Sequence, residues 1–341
     1  MTATRPSFAA LVGSLPDPLL LFMVGTGKNA GKTTALNAVL EHLDPATVGL
    51  VSVGVDGEAT DALTGGEKPP VRAGRGALIC TTEGACAMGE ALLRIEESLP
   101  LTTALGPLVV ARVLRQGGVL LVGPETNHQV REVVGRLKAR GATRVLVDGA
   151  FDRRTQLFGP GSSPAPSVVL VASPTGEDLD AFVKDTAHHH RLLTLPEAPA
   201  DLLPPDDGDF PLRARVGTGP WRVTDSLETL SDDPDLNREG LVVRLNLPLT
   251  RDGAAALNRT ARGILVVNSG AQVFLSAHGL KALADRGWQV FQRQAARCVA
   301  VLLNSQGPAG LSVPPGEALA RIGQAVAPTP VYDLFYREQR P

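Results

Sequence analysis

The sequence predicts an α/β fold: a mostly parallel sheet with helices on both faces, followed by a smaller C-terminal α/β unit. Three observations carry this. Short apolar runs alternate with amphipathic helical patterns through the first 194 residues, as strand–helix–strand crossovers require. Residues 195–211 are rich in Pro and Asp, which breaks regular structure and marks a boundary. Apolar runs and helical patterns then resume over 212–341. The expected organisation is a nucleotide-binding domain (1–194), a linker (195–211) and a smaller domain (212–341).

The first strand is Leu19–Val24, and the glycine-rich stretch Gly25-Thr-Gly-Lys-Asn-Ala-Gly-Lys-Thr-Thr34 follows it. Behind that stretch, Leu36, Val39, Leu40 and Leu43 share one helical face. Strand, glycine-rich turn and helix N-terminus is the context of a phosphate-binding loop, so the first domain reads as P-loop NTPase-like. Successive N–H groups in such a turn converge on phosphate, and the helix dipole adds positive charge. Gly25, Thr26, Gly27, Lys28, Asn29, Ala30, Gly31, Lys32, Thr33 and Thr34 are the expected nucleotide-binding residues. Lys32 is placed to neutralise the terminal phosphates and Thr33 to ligate Mg²⁺. The loop departs from the common GxxxxGK[ST] form, with Thr26 where the first glycine belongs. This GTxxxxGKT variant resembles the dethiobiotin-synthetase branch, which binds ATP.

Asp44-Pro45 stops the loop helix. The run Val48–Val55 reads as a second strand ending at Asp56-Gly57. A short strand is expected over Gly76–Thr81 and a short helix over Glu90–Ser98. Strands follow at Pro107–Val113 and Gly118–Val122. Thr126 caps a helix carrying Val130, Val133, Val134 and Leu137, and Gly141 closes it. Arg144–Asp148 and Ser167–Ala172 are strands, 159–166 a loop, and Gly176–Leu193 a helix. In the C-terminal part, strands are expected at Gly263–Ser269, Ala271–Leu275, Cys298–Asn304 and Val331–Leu334. Helices are expected near Leu280–Arg286 and Gly316–Val326.

Asp148 ends the strand Val145-Leu-Val-Asp148 as a Walker B-like carboxylate, placed to hold Mg²⁺ opposite Thr33. Asp56, at the end of the second strand, is expected near Mg²⁺ and the γ-phosphate. Ligands of open α/β sheets sit at this carboxyl edge. The expected catalytic residues are therefore Lys32, Asp56 and Asp148, and the expected metal ligands Thr33, Asp56 and Asp148. Glu58, Asp61, Asp152, Arg153 and Arg154 lie nearby in sequence and read equally as solvated charges. Consecutive His188, His189 and His190 diverge on a helix and read as no metal site. Cys80 and Cys86 read as small buried hydrophobes. No [NT]-K-x-D motif follows Ser167–Ala172, which favours ATP over GTP.

Composition narrows the partners. Hydrophobic content of 43% supports real cores, and a net charge of −2 leaves no electrostatic footprint for nucleic acid. Three cysteines without a C-x-x-C pair suit a reducing, cytoplasmic setting. No apolar run reaches the roughly 20 residues that span a bilayer.

Four segments in order resemble the small reactivase subunit that accompanies lysine 5,6-aminomutase and ornithine 4,5-aminomutase. They are Gly27-Lys-Asn-Ala-Gly-Lys-Thr-Thr34, Gly49-Leu-Val-Ser-Val-Gly-Val-Asp-Gly-Glu58, Val122-Gly-Pro-Glu-Thr-Asn-His-Gln129 and Val147-Asp-Gly-Ala-Phe-Asp-Arg153. Ile264–Leu275 and Val331-Tyr-Asp-Leu334 are similar in kind, so the resemblance covers most of the chain. Ala30, Pro107, Glu125 and the Pro/Asp-rich stretch depart from it. The resemblance implies ATP and Mg²⁺ as cofactors and two partners: a larger MutS-like ATPase subunit and a cobalamin- and pyridoxal-phosphate-dependent aminomutase. The implied activity is nucleotide-driven exchange of damaged cobalamin. The loop variant alone leaves a second reading, a stand-alone ATP-dependent ligase or kinase resembling dethiobiotin synthetase.

Overall fold

A computed structural model describes residues 7–27, 29–56, 69–148, 166–205, 210–307 and 311–334. The chain is mixed α/β with a large, mostly parallel sheet. Its contacts divide it into two units. The first comprises the described parts of Met1–Gln156, Pro166–Ala187 and Cys298–Pro341, and the second those of His188–Arg297.

The first unit opens with α1 (Phe8–Gly13), β1 (Leu19–Gly25), α2 (Lys32–Leu40) and β2 (Val48–Ser52). Two short strands, β3 (Val55–Asp56) and β4 (Val71–Ala73), precede β5 (Leu78–Thr82) and a long hairpin, β6 (Leu92–Thr103) and β7 (Gly106–Arg115). Then come β8 (Gly117–Val119), β9 (Leu121–Val122), α3 (Asn127–Ala139), β10 (Arg144–Asp148), β11 (Ser167–Ala172) and α4 (Leu179–Leu193), within which the two units divide.

In the second unit the order is β12 (Leu212–Val216), β13 (Arg222–Thr224), α5 (Leu227–Asp232), β14 (Leu241–Leu245), α6 (Arg251–Leu257), β15 (Gly263–Val267), α7 (Ala277–Asp285) and β16 (Gln289–Gln292). The chain then returns to the first unit with β17 (Arg297–Leu303), α8 (Pro315–Ala325) and β18 (Val331–Asp333).

One nine-stranded sheet, in the order β18-β17-β11-β1-β10-β2-β5-β7-β6, forms the spine of the first unit. β1 lies between β10 and β11 and pairs parallel with both; β10 continues parallel to β2, and β2 to β5. The central strands are buried along their length save for Arg144 at the start of β10, as a parallel sheet covered on both faces demands. Leu36 and Val39 of α2 join Leu21, Met23, Leu50, Leu146, Val169 and Val171 in one core cluster, which places α2 on one face. Each fully buried aliphatic side chain there stabilises the fold by about 1.5–3 kcal/mol. α3 covers the opposite face: a Cβ on Gly49 would lie 3.1 Å from Ala142 Cβ and 3.3 Å from Leu137 Cβ. Thr126 caps α3 through its side chain, as the sequence predicts.

The second unit is a five-stranded sheet, β13-β12-β14-β15-β16, with β14, β15 and β16 parallel and β12 antiparallel to both its neighbours. α5, α6 and α7 supply Leu230, Leu257 and Leu283 to its core.

Several expectations are corrected. Residues 298–334 do not belong to the smaller unit; β17 and β18 extend the large sheet beyond β11. Nor is 195–211 a plain linker. Leu195, Ala198 and Phe210 are buried, and Ala198 N donates to Gln292 O at 2.7 Å while Gln292 N donates to Pro196 O at 2.9 Å. The buried Gln292 amide reinforces this, donating to Leu195 O at 2.5 Å and accepting from Gly270 N at 3.1 Å. The helix expected at Glu90–Ser98 is strand β6, whose Glu96 is held by Arg112 (Nε–Oε1 2.7 Å) and whose Glu97 by Arg140 (2.7 Å). The strand expected at Ala271–Leu275 is a 3₁₀ turn over Gly270–Gln272 with one isolated bridge, Leu249 to Val273. The second strand ends at Ser52, not Asp56: Gly54, at φ +74°, turns the chain away. Among the described residues no helix is long and apolar enough to cross a membrane.

Candidate functional site

The glycine-rich loop leaves the carboxyl end of β1 and enters α2 directly. Two residues in it adopt left-handed backbone, Asn29 at φ +60° and Gly31 at φ +96°. Asn is among the few side-chain-bearing residues that tolerate this region, and glycine does so without strain. Gly31 is the N-cap of α2 and, lacking a side chain, offers no cap of its own to the first turn. Thr26 is tied into the sheet: its N–H donates to Val171 O at 2.9 Å, and its hydroxyl accepts from Ser173 N at 3.4 Å.

Gly25 shows why the loop excludes side chains. A Cβ there would lie 3.1 Å from Gly27 O, 3.3 Å from Ala30 Cβ and 3.4 Å from Lys32 Cδ. The aliphatic stem of Lys32 thus lies against Gly25, and the loop closes tightly on itself. Ala30 is fully buried in the core below, while Lys32, Thr33 and Thr34 remain half-exposed on the first turn of α2.

Asp148 is the last residue of β10, the strand next to β1, and is fully buried. Its Cα partner on β2 is Ser52, also fully buried, and Val53 N donates to Asp148 O at 2.9 Å. The structure therefore brings Gly25, Thr26, Gly27, Asn29, Ala30, Gly31, Lys32, Thr33, Thr34 and Asp148 to one edge, where β1 and β10 end side by side. Asp56 is not in this group as a strand-end residue; it belongs to the two-residue strand β3, paired with β9 (Asp56 to Leu121). Its side chain lies outside the described residues, as do Lys28, Glu58, Asp61, Asp152, Arg153 and Arg154.

Two residues at this edge escaped the sequence reading. Asn304 and Ser305 directly follow β17, and both are buried. Asn304 N donates to Ala172 O at 2.8 Å, and a Cβ on Gly31 would lie 3.2 Å from Asn304 Nδ2. The Asn304 Oδ1 and Ser305 Oγ atoms have no hydrogen-bond partner among the described residues. The signal was present, a polar pair directly after the apolar run Cys298–Leu303. It was unreadable because only the three-dimensional return of the chain sets that run beside the loop.

The segment around Gly123 belongs to the same edge. Gly123 N donates to Gly54 O and Gly54 N to Pro124 O, both at 2.9 Å. A Cβ on Gly123 would lie 1.6 Å from Ser52 O, so only glycine permits this crossing. Gly54 and the Gly123–Pro124 segment thus meet beside the end of β2, next to Asp148 at the end of β10.

Among the described residues the cysteines and histidines do not gather into a second centre. Burial pushes the Cys80 thiol up to about 12, with Cys86 a lesser contributor. The Cys86 thiol is raised by burial and then by Glu83. Neither is a thiolate nucleophile near neutral pH. His188 Nε2 lies 2.8 Å from Leu275 O, and burial lowers the pKa of His190. Among the described residues no group of three or more His, Cys, Asp or Glu side chains is placed to hold a metal ion.

A glycine-rich loop at a helix N-terminus, a lysine on the first turn of that helix and a buried carboxylate at the adjacent strand end thus lie at one sheet edge. Comparison with models of known families, with curated proteins and with solved structures finds no match for this chain.

Proposed function

We propose that this chain is a P-loop nucleotide-binding protein that binds Mg-ATP at Gly25–Thr34. One observation carries the reading: the loop joins the carboxyl end of β1 to α2, whose N-cap is Gly31, with Lys32 folded over Gly25 and Asp148 ending the adjacent strand. The loop's N–H groups and the dipole of α2 cradle the phosphates. Lys32 offsets the β/γ charge. Thr33 and Asp148 offer a hydroxyl and a carboxylate, the hard oxygen donors that suit Mg²⁺. The metal, when bound, draws charge off the terminal phosphates. ATP rather than GTP is proposed because neither Ser173-Pro-Thr-Gly176 after β11 nor Asn304-Ser-Gln-Gly307 after β17 has the [NT]-K-x-D form.

The physiological role we propose is the small, ATP-binding subunit of a factor that reactivates a cobalamin-dependent aminomutase, working with a larger MutS-like ATPase. The support for this finer role is the four-segment sequence resemblance. It fits the chain's charge and its nucleotide loop, since nucleotide-driven opening of a partner needs an element biased by the γ-phosphate. The test is Mg-ATP hydrolysis and recovery of inactivated aminomutase, by the chain alone and with the MutS-like subunit. Turnover and recovery only in the complex support the role. Fast turnover by the chain alone, with phosphate appearing on a small molecule, replaces it with a ligase or kinase.

A further inference from the structure

We propose that Ser52 is a positioning residue for the divalent cation that accompanies the nucleotide, its hydroxyl hydrogen-bonding a water of the cation's shell beside Asp148. This rests on the reading of Gly25–Thr34 as a nucleotide site.

Ser52 and Asp148 are Cα partners and the last residues of parallel neighbours β2 and β10. Partners of this kind lie about 4.8 Å apart, and residues two apart along a strand share a face. Leu50 and Leu146 pack in the cluster that contains Leu36 and Val39 of α2. Ser52 and Asp148 therefore project from the α2-covered face, towards the end where α2 begins with Lys32 and Thr33.

The Ser52 hydroxyl is fully buried and has no hydrogen-bond partner among the described residues. Thr81, on the same face of the next strand, shows the contrast: its hydroxyl donates to Leu120 O at 2.7 Å and accepts from Val122 N at 3.2 Å. A buried polar atom left unsatisfied costs stability, so an apolar residue would serve the strand better. A hydroxyl can donate one hydrogen bond and accept two, which suits a metal-bound water and a carboxylate together. Mg²⁺ keeps several waters and is held by few protein ligands plus phosphate. Gly123 packs closely on the Ser52 backbone, which holds this end of β2 in place.

The test compares wild type with Ser52→Ala by titrating a fluorescent ATP analogue across Mg²⁺ concentrations and in EDTA, alongside melting of the nucleotide-free proteins. The variant is expected to need about tenfold more Mg²⁺ for the same binding, the scale of losing an outer-shell partner. Its affinity in EDTA stays unchanged, and its nucleotide-free melting temperature does not fall. An unaltered Mg²⁺ dependence in Ser52→Ala overturns the proposal, as does wild-type binding indifferent to Mg²⁺. Wild type that binds no nucleotide overturns the underlying reading of the loop as well.

Discussion

Gly123→Ala should damage the fold and the site together, and its cost follows from the packing. The new Cβ would lie 1.6 Å from Ser52 O, a backbone atom of a central strand that cannot swing aside. The segment 121–124 must retreat by more than an ångström. That retreat breaks the two 2.9 Å hydrogen bonds between Gly54 and the Gly123–Pro124 segment. Each such bond is worth about 0.5–1.5 kcal/mol net. Overpacking adds about 1–3 kcal/mol. The sum is about 2–6 kcal/mol, and at about 2–4 °C per kcal/mol for a domain of this size the melting temperature falls by several degrees or more. Gly135→Ala is the internal control. Gly135 sits on the exposed face of α3 with nothing within 4 Å of its Cβ position, so alanine there should stabilise by about 0.5–1 kcal/mol. Thermal unfolding of both variants decides the matter. Equal stability of Gly123→Ala and wild type would refute the close crossing over Ser52.

Other outcomes follow from the same contacts. Asn37→Ala loses both the Nδ2 bond to Pro70 O (3.0 Å) and the bond from Arg72 N (2.9 Å), and should cost about 1–2 kcal/mol in urea unfolding by releasing β4 from α2. Glu96 is held below its ordinary value of 4.5, chiefly by the hydrogen bond from Arg112. A depressed folded-state pKa contributes stability above the unfolded value that is lost as pH falls through the folded one. Glu96→Gln should therefore destabilise near neutral pH and shrink the loss of stability on acidification below about 4.5, as melting curves from pH 7 to 3 would show. Cys80, with its thiol pushed up to about 12 by burial, should resist iodoacetamide at pH 8 in the folded protein and react after denaturation. Labelling of native Cys80 at the rate of a free thiol would contradict its burial.

The glycine-rich loop and its flanking strand and helix were legible because their signal is local. Gly25 to Thr34, the apolar strand before them and the Leu36–Val39 face after them lie within one short window. Asp148 was legible for the same reason, at the end of an unbroken apolar run. The end of β2 was not, because Val48–Val55 is apolar on both sides of Ser52 and only the left-handed turn at Gly54 shows where pairing stops. β6 was misread because Leu92, Leu93, Glu96 and Glu97 repeat at helical spacing. What makes it a strand is its pairing with β7 and the partners Arg112, Arg136 and Arg140, of which the last two lie about 40 residues away in sequence. The return of β17 and β18 to the first sheet was likewise invisible. Strand order across a hundred-residue insertion is set by tertiary packing, and with it went the chance to see Asn304 beside Gly31.

The most direct test of the account is calorimetric titration of Mg-ATP into the wild-type chain and into Lys32→Ala, with the fold of each checked by circular dichroism. The account predicts saturable one-site binding to wild type and its loss in a fully folded Lys32→Ala. Equal binding by both proteins, or none by folded wild type, would contradict it.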